Sequence, residues 1–240
     1  MKKIIVVSLL GLIPSMAMAS GSGFYVSGKM GTSIIKLSDQ KWSDEDGSIG
    51  GGSKTKGVFG GGIALGYDLY DTTSLPIRTE LDITLRGKAS SKHNLEASSW
   101  DDGNGTFYSD SYDGKNDITL NTFMLNAYYD FRNQTNFTPY VSVGLGLASI
   151  KHKAGYTYSE INSGGSEYDA YSKSKTNSNF AWSLGVGSQY AINDNLSLDL
   201  SYRFLDAGKS DVSYNDDGDT LKSKVKVRSN DVMFGVLYRF

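Results

Sequence analysis

Cysteine is absent from the 240-residue chain, and proline occurs only three times. A secreted chain without cysteine cannot be a disulfide scaffold, so another kind of interaction must stabilise it.

Histidine is scarce too. His93 follows Ser90 and Ser91, and His152 lies far along the chain, but neighbours in sequence do not make a catalytic triad, so we expect no enzyme. The net charge of −2 lacks the basic excess that nucleic acid requires, so we expect no nucleic-acid partner.

Long apolar runs are also missing, except at the N-terminus. There, two lysines precede the apolar residues 4–13, and residues 17–19 read Ala-Met-Ala, a small-x-small cleavage site. The apolar run is shorter than the roughly 20 residues that a membrane-spanning helix needs. We therefore predict a cleaved signal peptide at residues 1–19 and one domain over residues 20–240. If that domain lies in a membrane, it cannot cross the membrane as helices.

Glycine and tyrosine are abundant, with 28 and 16 copies, and this composition favours strands over helices. The clearest strand covers residues 77–86, where odd positions read Ile, Thr, Leu, Ile, Leu and even positions read Arg, Glu, Asp, Thr, Arg. A strand places such residues on two separate faces, whereas a helix would mix them. The alternation recurs near residues 24–37, 58–70, 123–131, 137–147, 180–189, 196–204 and 232–240. These eight segments are long enough to cross a membrane when tilted.

The polar faces of the segments carry small residues beside charges of both signs. A soluble barrel such as a lipocalin would turn its apolar face inward, but the signal peptide and the terminal Phe240 argue against that arrangement. We therefore place the apolar faces in lipid and the charges in the lumen, where they must be paired or solvated. The predicted lumen charge network consists of Arg78, Glu80, Asp82, Arg86, Asp130, Asp199, Arg203 and Arg239.

Short and long connections alternate strictly along the chain. Three short ones cover residues 71–75, 132–136 and 193–195, and four long ones cover about residues 38–57, 88–116, 152–178 and 207–228. Outer-membrane barrels have short periplasmic turns and long extracellular loops. The predicted fold is therefore all-β, an eight-stranded antiparallel up-and-down transmembrane β-barrel with four long extracellular loops. Its expected location is the outer membrane of a Gram-negative bacterium.

Five segments carry a family resemblance: residues 23–31 (GFYVSGKMG), 125–131 (LNAYYDF), 138–146 (TPYVSVGLG), 198–204 (LDLSYRF) and 232–240 (VMFGVLYRF). Together and in this order they resemble the opacity family of outer-membrane barrels and the related surface antigens of intracellular alphaproteobacteria. The resemblance implies an eight-stranded barrel that acts as a surface adhesin or antigen, and some members of the family are described as porins. It also implies that the barrel-assembly machinery reads the C-terminal strand, with Tyr238 and Phe240 as the signal. It covers the strands and none of the loops.

The long connections are rich in Tyr, Trp, Asp, Ser and Gly, a composition that binding loops use for contact. The candidate contact residues are Trp42, Trp100, Tyr108, Tyr112, Tyr156, Tyr158, Tyr168, Tyr171 and Tyr214. The Asp-Gly segments 101–105 and 216–219 lack the alternating carboxylates and distal Glu of an EF-hand, so we predict no metal site and no cofactor.

The expected function is therefore adhesion or another interaction with a host-cell surface ligand. Outer-membrane lipid, lipopolysaccharide and the assembly machinery are the other expected partners, and the oligomeric state stays open. The alternative is a small porin that passes ions or small solutes, because the Gly-rich inner faces could leave a path for water. Side chains largely fill an eight-stranded barrel, and paired charges would block it further.

Overall fold

The structure of the protein is a computed structural model that describes residues 23–43, 47–101, 103–104, 107–162, 165–216 and 219–240. The predicted signal peptide, residues 1–19, lies outside the described residues. The elements are β1 (Phe24–Ser43), β2 (Ser48–Asp68), α1 (Tyr70–Thr73), β3 (Ile77–Arg86), β4 (Lys88–Asp101), β5 (Phe107–Asp130), β6 (Phe137–Asn162), β7 (Gly165–Ala191), β8 (Leu196–Asp216) and β9 (Asp219–Arg239). Within the described part of the chain, we find no helix with the length and apolar character that crossing a membrane requires.

The strands close into an antiparallel ring. Strand β1 pairs with both β2 and β9, which joins the two ends of the chain. Strands β3 and β4 are separated only by Gly87, and both pair with β5, so they form two halves of one strand position. The ring therefore has eight strand positions, and the predicted fold class is confirmed.

Side chains alternate between the two faces of the ring, as the sequence predicts. In β3, Arg78, Asp82 and Arg86 are buried inside, whereas Leu81 and Leu85 are exposed outside. The outward apolar residues form a band around the ring, as expected of a barrel that faces lipid. We define the rim as the upper limit of this band, marked by Ile34, Phe59, Leu85, Phe123, Leu147, Phe180, Tyr202 and Val232.

Above the rim, the four long connections are continuations of strands and not irregular loops. Strand β6 passes the rim at Leu147 and ends at Asn162, so its hairpin with β7 rises about 50 Å along the strand. Among the described residues, successive strands end at residues 43, 101, 162 and 216, and the next strands begin at residues 48, 107, 165 and 219. The predicted loop boundaries miss these strands because polar residues on both faces remove the hydrophobic alternation.

The ring also divides above the rim. Pairing between β2 and β3 ends at Gly60 and Arg86, and pairing between β7 and β8 ends at Trp182 and Asp206. Pairing continues upward between β1 and β9 and between β5 and β6. Two four-stranded sheets therefore face each other: sheet A, made of β2, β1, β9 and β8, and sheet B, made of β4, β5, β6 and β7. We call the space between them the cleft.

Candidate functional site

The predicted lumen charges lie inside the ring below the rim. Arg78 donates hydrogen bonds from Nε and Nη2 to the two carboxylate oxygens of Asp130, at 2.7 and 2.9 Å. The Arg78 guanidinium also lies 4.6 Å from the ring centroid of Tyr128 and 5.3 Å from that of Tyr140. Its charge is therefore both paired and covered by aromatic faces, the environment that a buried guanidinium needs.

A second group joins two arginines through shared carboxylates. Asp231 accepts hydrogen bonds from Arg86 Nη2 at 2.6 Å and from Arg203 Nη2 at 3.1 Å. Arg203 also donates to Asp82 at 3.1 Å, and Lys29 forms an ion pair with the same Asp82. The side chains of Arg86, Asp82 and Asp231 have 0% exposure. This group closes the middle of the lumen.

The remaining predicted charges lie nearer the end of the ring that carries the short turns. Glu80 accepts a hydrogen bond from Tyr128 Oη at 2.9 Å, and Asp199 accepts one from Tyr140 Oη at 2.9 Å. Arg239 donates to a side-chain amide of β7 at 3.0 Å. All eight predicted residues therefore line one interior, although Asp199 meets a tyrosine where an arginine was expected.

Sequence reasoning missed two central members of this network. The predicted last strand begins at residue 232 and so excludes Asp231, which binds two arginines. Lys29 lies in a part of β1 where Gly28 and Gly31 interrupt the alternation. Alternation along the strands could have identified both residues, because side chains an even number of residues apart lie on the same face. Lys29 is four residues from the inward-facing Tyr25. Asp231 is likewise an even number of residues from the inward-facing positions of β9.

An apolar cluster fills the interior at and just above the rim. Its members are Ile35, Leu37, Ala89, Ile118, Leu120, Met124, Ala148, Ile150, Ala181, Leu205, Ala207, Val225 and Val227, each at most 1% exposed. They alternate with outward polar residues such as Lys36 and Lys151, so the apolar face of each strand changes from outside to inside at the rim. We call this cluster the plug. The alternation of the strands predicts a polar lumen and gives no sign of the plug.

A layer of neutral polar side chains covers the plug. His152 Nε2 donates to Asn116 Oδ1 at 2.8 Å, Asn116 Nδ2 donates to Gln40 Oε1 at 3.0 Å, and Gln40 Nε2 donates to His93 Nε2 at 2.9 Å. This direction of donation requires His93 to be neutral, with its proton on Nδ1. Burial lowers the pKa of His152 to about 4. Burial and the charge of Lys54 also lower the pKa of His93.

The predicted contact residues lie on hairpin strands above this layer. Strand register places seven of them on faces turned toward the cleft: Trp42, Trp100, Tyr108, Tyr112, Tyr156, Tyr158 and Tyr171. Trp100 stacks on Tyr108 with a centroid distance of 5.4 Å, and Tyr112 lies 4.9 Å from Tyr158. Tyr168 faces outward and is 70% exposed. The side chain of Tyr214 lies outside the described residues.

The two residues of the predicted assembly signal lie at the opposite end of the molecule. Tyr238 is on the outward face of β9 and is 46% exposed. Its ring centroid lies 5.4 Å from that of Phe240. The backbone N–H of Phe240 donates to the carbonyl of Phe24 at 3.1 Å, which joins the C-terminus to the first strand.

The chain is similar to several known proteins. Outer membrane protein PagN of Salmonella typhimurium is 36% identical over 251 residues, which cover 100% of both chains. RC1281 of Rickettsia conorii, a candidate adhesin, is 27% identical over 197 residues, which cover 82% of this chain and 73% of its own. Among solved structures, Neisserial surface protein A aligns with 91% of this chain and 98% of its own, at 22% identity and a TM-score of 0.46.

The family assignment rests on a match that extends over nearly the whole chain. Residues 5–240 match the family described as outer membrane protein beta-barrel domain. This match and the likeness to PagN confirm the predicted location in the outer membrane and the resemblance to opacity-type barrels. The chain belongs to the outer membrane protein β-barrel domain family.

Proposed function

We propose that this protein is a surface adhesin that presents its two facing sheets to a ligand on host cells. The observation that carries the proposal is that the strands extend far beyond the rim, by about 50 Å along β6, and that these extensions of several strands carry the candidate contact residues. Aromatic side chains supply contact area at low entropic cost. The likeness to RC1281, a candidate adhesin, supports the same function.

A porin function has less support. Below the rim, Arg86, Asp82 and Asp231 cross-link the lumen with no exposed side-chain surface. At the rim, the plug adds thirteen buried apolar residues, which offer no hydrogen bonds to water or ions. Two successive barriers of different chemistry favour a scaffold over a channel.

Lipopolysaccharide is a proposed partner on the outside of the ring. Lysines just above the rim, such as Lys36, Lys151 and Lys153, are exposed and alternate with buried inward residues. Cationic side chains at that height match the phosphate groups of lipopolysaccharide. The barrel-assembly machinery is a further proposed partner through β9, whose end carries the exposed Tyr238.

Adhesion is testable in a non-adherent bacterial strain that expresses the full-length chain. We expect the strain to bind cultured epithelial cells, because the extended sheets are displayed outside the membrane. A variant in which a two-residue Asn-Gly turn replaces residues 157–170 of the β6–β7 hairpin should lose binding to the level of the empty vector. Tyr156 and Tyr171, which flank the replaced segment, are register partners, so the shortened hairpin can close.

Surface labelling and heat-modifiable migration on gels control for export and folding of the variant. A matched control replaces the exposed Asp194 of a short turn with Ala and should bind cells like the parent. If the intact chain is displayed and folded but binds no better than the empty vector, the adhesin proposal is wrong.

A further inference from the structure

The cleft between the sheets contains a cavity of about 550 Å³ above the polar layer. Both sheets line it: Trp42 and Ser223 belong to sheet A, and Glu96, Asp110 and Tyr112 belong to sheet B. This volume lies in the range of small-molecule sites, which are typically apolar with a few converging polar groups. The adhesin proposal does not say what chemical group this cavity would take.

The wall that sheet B presents to the cleft is acidic and aromatic. In one cross-strand row, Glu96, Tyr112, Tyr158 and Asp169 are successive register partners on β4, β5, β6 and β7. In the next row, the successive partners are Ser98, Asp110, Glu160 and Glu167. Five carboxylates are therefore interleaved with tyrosines on one face.

Among the described residues, the carboxylates on this wall, including Glu96, Asp110 and Glu160, form no ion pair with a cationic side chain. Asp110 lies directly opposite Glu160, and like charges in that arrangement are destabilising. Glu160 accepts hydrogen bonds from neutral groups, including Tyr158 Oη at 2.8 Å. Asp110 Oδ1 is buried and has no hydrogen-bond partner in the part of the chain that the structure describes.

The opposite wall adds an unpaired donor. Trp42 lines the cavity and is only 8% exposed, and its Nε1–H has no hydrogen-bond partner among the described residues. A buried indole N–H normally finds an acceptor. Lys222 also borders the cavity, but its neighbour Ser223 is the buried, inward-facing residue, so the Lys222 charge belongs to the outer face.

We propose that the cleft binds an organic cation, an ammonium or guanidinium group on an apolar stem, with the charge between Glu96 and Asp110 and the stem against Tyr112 and Trp42. Carboxylates and aromatic faces both attract such a cation. A metal ion fits less well, because the described residues contain no group of three or more His, Cys, Asp or Glu side chains close enough to hold one. The lysine or arginine side chain of a partner peptide and a free amine share this chemistry.

The test is calorimetric titration of the folded full barrel in non-ionic detergent. The probe is Nα-acetyl-lysine amide, and the matched control ligand is Nα-acetyl-norleucine amide, which keeps the stem and removes the charge. We expect only the lysine derivative to bind. Asp110→Asn and Glu96→Gln should each weaken binding by about tenfold, as expected for loss of a charged hydrogen-bond partner.

Asp113→Asn is the control variant, because Asp113 is the next carboxylate along β5 but lies on the face that points away from the cleft. It should bind the probe like the parent. Titration with pentylamine distinguishes a peptide side chain from a free amine as the source of the cation. Pentylamine has no carbonyl that could accept a hydrogen bond from Trp42 Nε1–H. Weaker binding of pentylamine supports a peptide, and equal binding supports a free amine.

Equal binding of the lysine and norleucine derivatives would overturn the proposal, as would unchanged affinity in both carboxylate variants. Heat-modifiable migration confirms that each variant is folded before titration. The measurement uses purified protein and no host cells, so a failure here is distinguishable from a failure of the adhesin proposal.

Discussion

At the residue scale, Asp231 is the carboxylate on which two buried guanidinium groups converge. It lies 2.6 Å from Arg86 and 3.1 Å from Arg203 and also accepts a hydrogen bond from Ser229 at 2.6 Å. Removing one partner of a buried ion pair leaves an uncompensated charge, which costs far more than the pair contributes.

Replacement of Asp231 by Ala should therefore lower the free energy of unfolding by about 3–5 kcal/mol. The measurement is urea unfolding of the refolded barrel in phospholipid vesicles, followed by tryptophan fluorescence. Replacement of the exposed Asp194 by Ala is the control and should change stability by less than about 0.5 kcal/mol. An equally small effect at Asp231 would mean that water reaches the two arginines.

The sequence identifies the charged residues of the lumen but not how they pair. Alternation along β3 shows that Arg78, Asp82 and Arg86 share one face, because the outward positions are uniformly apolar or Thr. The partner of Arg86 lies 145 positions away on β9. Such a contact depends on the shear of the barrel, which is the total stagger of strand register around the ring. The alternation of residues along a single strand does not reveal this stagger.

At the element scale, the sequence predicts strands well below the rim and poorly above it. Residues 77–86 are predicted as a strand and form β3 with the same bounds. Residues 152–178, by contrast, are predicted as a loop, but residues 152–162 and 165–178 form the upper parts of β6 and β7. There both faces meet water or the open cleft, so pairing is maintained by the backbone ladder and by tyrosines without an apolar stripe.

The polar layer connects four strands and makes their association sensitive to pH. His152 has a pKa lowered to about 4, chiefly by burial, while the carboxylate of Asp211 acts in the opposite direction. Unfolded His152 would titrate near 6.5, so acid favours the unfolded state between these two values. Protonation of His93 would also place a donor against the amide of Gln40.

We therefore expect stability to fall as pH decreases from about 6.5 to about 4, with His152 accounting for roughly 3 kcal/mol of the loss. Urea unfolding at pH 7.5, 6, 5 and 4 measures the trend. A His152→Gln variant keeps a side-chain donor, and its unfolding free energy should change less over the same range. Parallel curves for the two proteins would show that His152 has the same pKa in the folded and unfolded states, so that burial does not lower it.

At the scale of the whole molecule, the same ring of strands does two different things. Below and at the rim it is closed by the charge network and the plug, so its interior serves stability. Above the rim it opens into two sheets, so its inner face becomes a surface that ligands can reach. The boundary between these two parts is the rim, where the apolar residues change from the outer to the inner face. Inward apolar residues such as Leu120 and Ile150 form the floor of the cleft there.

This division predicts that the protein does not conduct. In a planar bilayer, the refolded chain should give no current steps above the lipid baseline, whereas an established porin in the same bilayer should give them. A variant that lacks residues 157–170 should also be silent, because neither the plug nor the charge network lies in that segment. Steps of equal size from both chains would mean that the interior opens, and the function would then be transport through the lumen and not binding at the surface.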